Sequence, residues 1–266
     1  MSGVETLFNN LWLQYTAINP QAEAIHQLLT ERGETVVNDH IAIRTFNTQK
    51  LGIDSIAQVF VDLGYVKKDA YDFSSKKLNA FHYEHPENPN HPKVFISELQ
   101  VEAFSEEVQE IIKKLDDQVD VTAPFESDFI YSGRPWELTF DDYIRLLQES
   151  EYAAWTAAFG YRANHFTVSI NHLTTFFDIE SLNDFILNND FAMNESGGLI
   201  KGTPEQLLEQ SSTMAPLVNL AFSDANHLVP SCFYEFAKRY PMDSGRLYQG
   251  FIAASADKIF ESTDAK

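Results

Sequence analysis

Cysteine is nearly absent from the 266 residues: there is one, Cys232. That excludes an internal disulfide and any zinc site made of several thiolates. Its setting, "SCFYEF", carries no companion motif for a nucleophile, so it reads as a buried structural thiol. Long apolar runs are missing as well. No stretch approaches the ~20 residues needed to span a bilayer, and "MSGVETLFNN" lacks the basic start and apolar centre of a secretory signal. The expectation is a cytoplasmic protein without a membrane partner. Basic residues are scarce, 19 against 39 acidic ones, for a net charge of −20. Such a surface repels nucleic acid and anionic lipid. It also repels an anionic substrate at long range, so a site for one must gather its few arginines locally.

What is present is ordinary globular composition, 44% hydrophobic and 22% charged, in a chain long enough for a proper core. Residues 1–35 read as helices, the second with Asn19 as cap, Pro20 in its first turn and Gly33 at its end. A first module, 36–102, holds the strand "NDHIAIRTF", the helix "LGIDSIAQVFVDLGY" and the strands "LNAFHYEH" and "PKVFISELQV". A helical insert covers 103–160. A second module, 161–240, repeats the order. "RANHFTVSIN" is a strand and "IESLNDFILNND" a helix, "FAMNESGGLIKG" is hairpin-like and "TPEQLLEQSS" a short helix capped by Thr203. "PLVNLAFSD" and "SCFYEFAKRY" are strands. The segment 241–266 closes the chain. The halves resemble each other in order rather than identity, so the expectation is a single α+β domain of two strand-helix-strand-strand modules. "HIAIRTF" answers "HFTVSIN", and "KVFISELQ" answers "CFYEFAKR", which sets Glu98 opposite Glu235.

Strand side chains alternate. His40, Ala42 and Arg44 therefore share one face, as do His165, Thr167 and Ser169, and Phe233, Glu235, Ala237 and Arg239. Each opposite face is apolar and suits a core. Polar faces of this kind are solvated, or they line a cavity if the sheet curves inward. Two histidines and one carboxylate converging there would make the facial triad that suits non-haem Fe(II) and leaves coordination positions open. Other histidines fit less well. His82, His85 and His91 gather around "FHYEHPENPNHP", where a solvated turn is the plainer reading.

"DHIAIRTF", "KVFISEL", "ANHFTVSIN", "FYEFAKR" and "GFIAASADKIFEST" together resemble the 2-oxoadipate dioxygenase/decarboxylase family, an offshoot of the vicinal-oxygen-chelate fold. The resemblance implies a curved sheet around a metal site, with Fe(II) held by His40, His165 and Glu235. It implies that Arg44 binds a substrate carboxylate and that Ser255 approaches the substrate. The implied partners are a small 2-oxo dicarboxylic acid and O2. The implied reaction is oxidative decarboxylation and hydroxylation of 2-oxoadipate to 2-hydroxyglutarate and CO2. Four residues of strand cover roughly 13 Å, so a six-carbon diacid could bridge a metal at His40 and the guanidinium fork of Arg44. Arg44 could instead pair with a local acid such as Asp39. Two other readings stay open: a glyoxalase-type lyase, isomerase or hydrolase, in which Glu98 joins as fourth ligand, and a non-catalytic organic-acid binder. On the dioxygenase reading, Glu98 lines or flanks the cavity without ligating.

Overall fold

The computed structural model describes residues 3–264. Helices α1 (Gly3–Thr16) and α2 (Pro20–Glu31) open the chain. Asn19 does not cap α2 with its side chain; its amide donates to the Tyr15 hydroxyl at 2.9 Å instead. The first module runs β1 (Asn38–Phe46), α3 (Ile53–Asp62), β2 (Val66–Phe73), β3 (Leu78–Glu84) and β4 (Lys93–Leu99). Helices α4 (Glu106–Asp117), α5 (Phe140–Glu149) and α6 (Glu151–Phe159) form the insert. The second module runs β5 (His165–Ser169), α7 (Ile179–Asn188), β6 (Lys201–Thr203), β7 (Leu208–Ser212), β8 (Leu217–Ala221), β9 (Asn226–Pro230) and β10 (Phe233–Arg239). Helix α8 (Ala253–Ile259) ends the fold.

One eight-stranded sheet holds both modules, in the order β2-β3-β4-β1-β5-β10-β7-β6. Outward from its centre, β1-β4-β3-β2 is answered by β5-β10-β7-β6. In each half the first strand lies parallel to the last, and the remaining neighbours are antiparallel. β1 and β5 join the halves antiparallel. This is the curved-sheet α+β architecture expected from the repeat, with three differences. Each half has a strand between its helix and its last two sheet strands. In the first it is β2, "VKKDAYDF", a largely exposed edge strand whose polar sequence has no core face to betray it. In the second it is the short β6, after which "TPEQLLEQSS" is only a 3₁₀ turn at Pro204–Gln206 and then the strand β7. β8 and β9 form a separate hairpin inserted before β10.

Register corrects the pairing of the two glutamates. His40 lies opposite Lys93 on β4, and His165 opposite Phe233 on β10. Two residues further on, Phe95 and not Glu98 takes the place of Glu235. Glu98 has the other parity, and its carboxylate accepts the backbone N–H of Ile53 at the start of α3, at 2.9 Å. It therefore lies off the cavity, contrary to the expectation that it flanks it.

The apolar faces pack outward. Phe166 and Tyr234 meet Trp12 and Tyr15 of α1, and Ile41, Ile43, Val94 and Ile96 are fully buried. Each such side chain contributes about 1.5–3 kcal/mol on burial. Cys232 is buried as expected, and burial pushes its thiol up to about 12. The polar face is buried too: His40, Arg44, His165 and Glu235 are all at most 4% exposed. A strap of residues 240–252 between β10 and α8, and α8 itself, cover it.

Candidate metal centre

His40, His165 and Glu235 come together from β1, β5 and β10, three consecutive strands of the sheet. One ligand atom from each lies within 4.8 Å of the others, the only such trio of metal-binding type among the described residues. Nε2 of His165 stands 3.1 Å from Oε2 of Glu235, and Nε2 of His40 3.5 Å from Oε1. Neighbouring positions around a first-row ion with bonds of about 2.1 Å are about 3 Å apart. The spacing therefore suits one ion held on one face.

The far sides of the ligands fix their orientation. A β-bulge between Asn38 and His40 turns Asp39 out of the ladder, and its carboxylate accepts from Nδ1 of His40 at 2.8 Å. Arg239 holds that carboxylate with two bonds, Nε at 2.7 Å and one terminal nitrogen at 2.8 Å. Burial alone would raise the Asp39 carboxyl, but the charges of Arg239 and Lys93 and the bond from His40 hold it well below the usual range. It is an acceptor, so His40 carries its proton on Nδ1 and turns the Nε2 lone pair to the centre. Nδ1 of His165 stands 3.1 Å from the amide oxygen of Asn164, with the same consequence. "DH" and "NH" thus play equivalent parts in the two modules, an extension of the repeat that was open to sequence reading. Gln210 donates to Oε1 of Glu235 at 2.7 Å, while the buried Oε2 accepts no hydrogen bond. A buried carboxylate with one orphaned oxygen, its two oxygens each near one imidazole nitrogen, is the arrangement a cation resolves.

Electrostatics agree. Burial, above all, lowers the pKa of His40; it lowers His165 further, helped by the charges of His40 and Arg44. Both imidazoles are thus neutral at pH 7, as metal ligation requires. Burial, with Asp39 adding to it and the Gln210 bond only partly offsetting it, raises Glu235 to about 8. The metal-free carboxyl therefore keeps its proton at pH 7, and a bound cation must displace it. Binding at pH 7 is expected to release about one proton, and at pH 9 almost none, read by calorimetry in two buffers of different ionisation enthalpy. The stability of the metal-free protein carries the same sign. Between the ordinary 4.5 and about 8 the unfolded chain has lost a proton that the folded one keeps, so stability falls as pH rises through that window.

The cavity beside the trio has about 20 Å³ of open space. Gln210 and Phe95 from the sheet wall it, with Phe251, Ala256, Ile259 and Phe260 from the C-terminal segment. Ser255 is buried next to Ala256, but faces Gly202 of β6 rather than the cavity. Arg44, 1% exposed, shares the face of His40 and lies behind Phe260, 5.6 Å from its ring. Its partner is not Asp39. It donates to both oxygens of Glu151 on α6, at 3.0 and 3.3 Å, and to the Thr263 hydroxyl at 3.0 Å, while its Nε has no partner. Thr167 touches Nε2 of His40 at 3.1 Å, and Ser169 bonds His172. His82 is buried rather than part of a solvated turn. Glu151 and Gln210 escaped sequence reading because each is joined to the site only by the fold; Arg239 is legible on the face of Glu235, but its hold on Asp39 is not.

Two like modules closing a curved sheet around a two-histidine, one-carboxylate trio make a fold of the vicinal-oxygen-chelate kind. The family model for 2-oxoadipate dioxygenase/decarboxylase matches residues 4–134 and 132–246. The rice (Oryza sativa subsp. japonica) chloroplastic/amyloplastic 2-oxoadipate dioxygenase/decarboxylase is 35% identical over 97% of this chain and 78% of its own. The crystal structure of the hydroxyglutarate synthase from Oryza sativa in complex with 2-oxoadipate superposes with a TM-score of 0.90 at 35% identity, over 97% of this chain and 91% of that one. A protein from Shewanella frigidimarina NCIMB 400, described provisionally as a hydrolase, superposes at 0.91 with 54% identity, over 96% and 99%. The chain belongs to the 2-oxoadipate dioxygenase/decarboxylase family, and is an enzyme of that class. No helix among its described residues is long and apolar enough to cross a membrane.

Proposed function

We propose that this enzyme converts 2-oxoadipate and O2 to 2-hydroxyglutarate and CO2, with Fe(II) held by His40, His165 and Glu235. The observation that carries the reading is the buried trio itself. Two neutral imidazoles and one carboxylate present lone pairs to one point, from one side only, beside a cavity walled largely by apolar groups. Bound there, Fe(II) would supply the O2 activation and electron transfer that protein side chains cannot. The chain's own part is to orient, neutralise and exclude water. Asp39 and Asn164 hold the imidazole tautomers, and Gln210 holds Glu235. Phe95, Phe251 and Phe260 keep the cavity dry. Arg44 recognises the distal carboxylate of the substrate through its free Nε and the edge it now shares with Glu151. Ser255, buried on α8 and facing Gly202 of β6, supports the cavity wall from behind. The atoms balance: one oxygen of O2 goes to the former keto carbon, the other to the new hydroxyl on the next carbon, and the first carboxylate leaves as CO2.

The test is oxygen uptake by Fe(II)-loaded protein against a panel of 2-oxo acids, with product analysis. Oxygen consumption matched by 2-hydroxyglutarate is expected with 2-oxoadipate. Turnover without oxygen uptake would point to a hydrolase or lyase, and tight binding without turnover to an organic-acid binder.

A further inference from the structure

A second polar chain, buried at His82 and partly exposed at its ends, lies outside the metal trio, on the far side of Phe251. Glu84 and His82 of β3 and Tyr71 of β2 stand in line. Nε2 of His82 is 2.9 Å from the Glu84 carboxylate, and Nδ1 is 2.9 Å from the Tyr71 hydroxyl. The backbone N–H of Phe251 donates to the same hydroxyl at 3.1 Å. One proton arrangement satisfies all three contacts: Tyr71 accepts from Phe251 and donates to Nδ1, and Nε2–H donates to Glu84. The ring of Phe251 lies edge-on to His40, with centroids 4.7 Å apart, and against Phe95 at 5.0 Å and His82 at 5.5 Å. It is also a wall of the metal cavity. From the other side Arg239 donates to the carbonyls of Tyr248 and Gly250, at 3.0 and 2.8 Å. The strap is therefore clamped by its carbonyls to the residue that holds Asp39, and by its N–H to Tyr71.

We propose that Tyr71 and His82, backed by Glu84, are positioning residues that set where Phe251 stands, and so the length of 2-oxo acid that the cavity accepts. This rests on the proposed reaction for the identity of the ligand. Polar residues on a largely exposed edge strand and its neighbour have no other evident reason to form a satisfied chain that ends on one backbone amide. Relaxing the strap moves an aromatic wall next to His40, the side on which a bound acid must find room. Pocket walls of this kind discriminate by about one to two orders of magnitude per methylene.

Tyr71→Phe keeps the ring and removes the hydroxyl. Hydrogen exchange at the Phe251 amide is expected to quicken about tenfold, the scale of one lost hydrogen bond. The preference for 2-oxoadipate over its homologue with one more methylene, as a ratio of kcat/KM, is expected to fall about three- to tenfold. His82→Leu should reproduce both effects. His82→Asn, which leaves an acceptor near the place of Nδ1, should restore most of the wild-type behaviour; if Tyr71→Phe fails to fold, this pair of variants reads the same two quantities. Unchanged exchange at Phe251 overturns the clamp. Faster exchange with an unchanged preference, both acids losing equally, overturns the role in selectivity. If the wild type consumes no oxygen with either acid, the proposed reaction is what has failed, and the preference is then read from anaerobic binding of the two acids to the metal-loaded protein.

Discussion

His165→Ala is expected to abolish oxygen uptake and to weaken metal binding by at least about a hundredfold, while the fold survives. Changing only the outer partners of a metal ligand commonly costs about 10–100-fold in affinity, so removing a ligand outright should exceed that. The loss should not be structural. His165 makes one side-chain hydrogen bond outside the trio, to Asn164, and is strongly desolvated in the metal-free state. Its removal leaves a small polar cavity rather than a broken ladder, since the backbone pairing of β5 with β1 and β10 does not depend on the imidazole. The change should also be read at Glu235. With no cation to displace its proton, the buried carboxyl stays protonated at pH 7, and the proton release that accompanies metal binding should vanish along with the binding. Metal analysis, calorimetry and thermal unfolding of one variant separate these effects. A His165→Ala protein that holds iron as the wild type does would remove the trio as the metal site. A protein that fails to fold would make His165 a core residue first.

How much of this was legible in the sequence follows from range. The trio could be read because each member sits in a strand whose period exposes the odd polar residue on a buried face, and because the halves repeat. His40 and His165 hold the same place in β1 and β5, on strands that pair with each other. Glu235 is legible on the polar face of its strand, but its counterpart in the other half is not. Two glutamates at similar distances along similar strands look equivalent until register is known, and register puts Phe95 where Glu235 would be. Strand β2 hid because an exposed edge need not alternate. The clamp from Arg239 to Asp39 spans 200 residues, and that from Tyr71 to Phe251 spans 180. Contacts of that separation leave no local pattern, and only the way the C-terminal segment folds back over the sheet creates them. Arg44 shows the same limit. A buried arginine on the ligand face was visible, but its companion on α6, 107 residues on, was not.

That companion sharpens the expected behaviour of Arg44. Arg44→Lys should leave iron binding nearly intact, because Arg44 is not among the ligands, and should lower kcat/KM for 2-oxoadipate by about 30-fold or more. Losing a desolvated, charge-assisted pair commonly costs roughly 2–5 kcal/mol, and an ammonium cannot reproduce the planar fork. Arg44→Ala should cost more for the same substrate, and also stability, since it removes the cation packed against the rings of Tyr152, Trp155 and Phe260 and leaves the Glu151 carboxylate without its partner. A 2-oxo acid of the same length without the distal carboxylate should be a poor substrate for the wild type and nearly indifferent to Arg44→Lys. Glu151→Gln decides what Arg44 is for. If Arg44 serves only to pair with Glu151, removing the negative charge should harm stability and turnover as much as removing the positive one. If Arg44 serves the substrate, Glu151 competes with the incoming carboxylate, and Glu151→Gln should keep kcat and leave KM for 2-oxoadipate unchanged or lower. Steady-state oxygen consumption on both acids, beside thermal unfolding of the three variants, gives the answer. Equal losses on both acids in Arg44→Lys would mean that the guanidinium holds the shared 2-oxo acid end or the fold itself, and the substrate would then not lie along β1 toward Arg44.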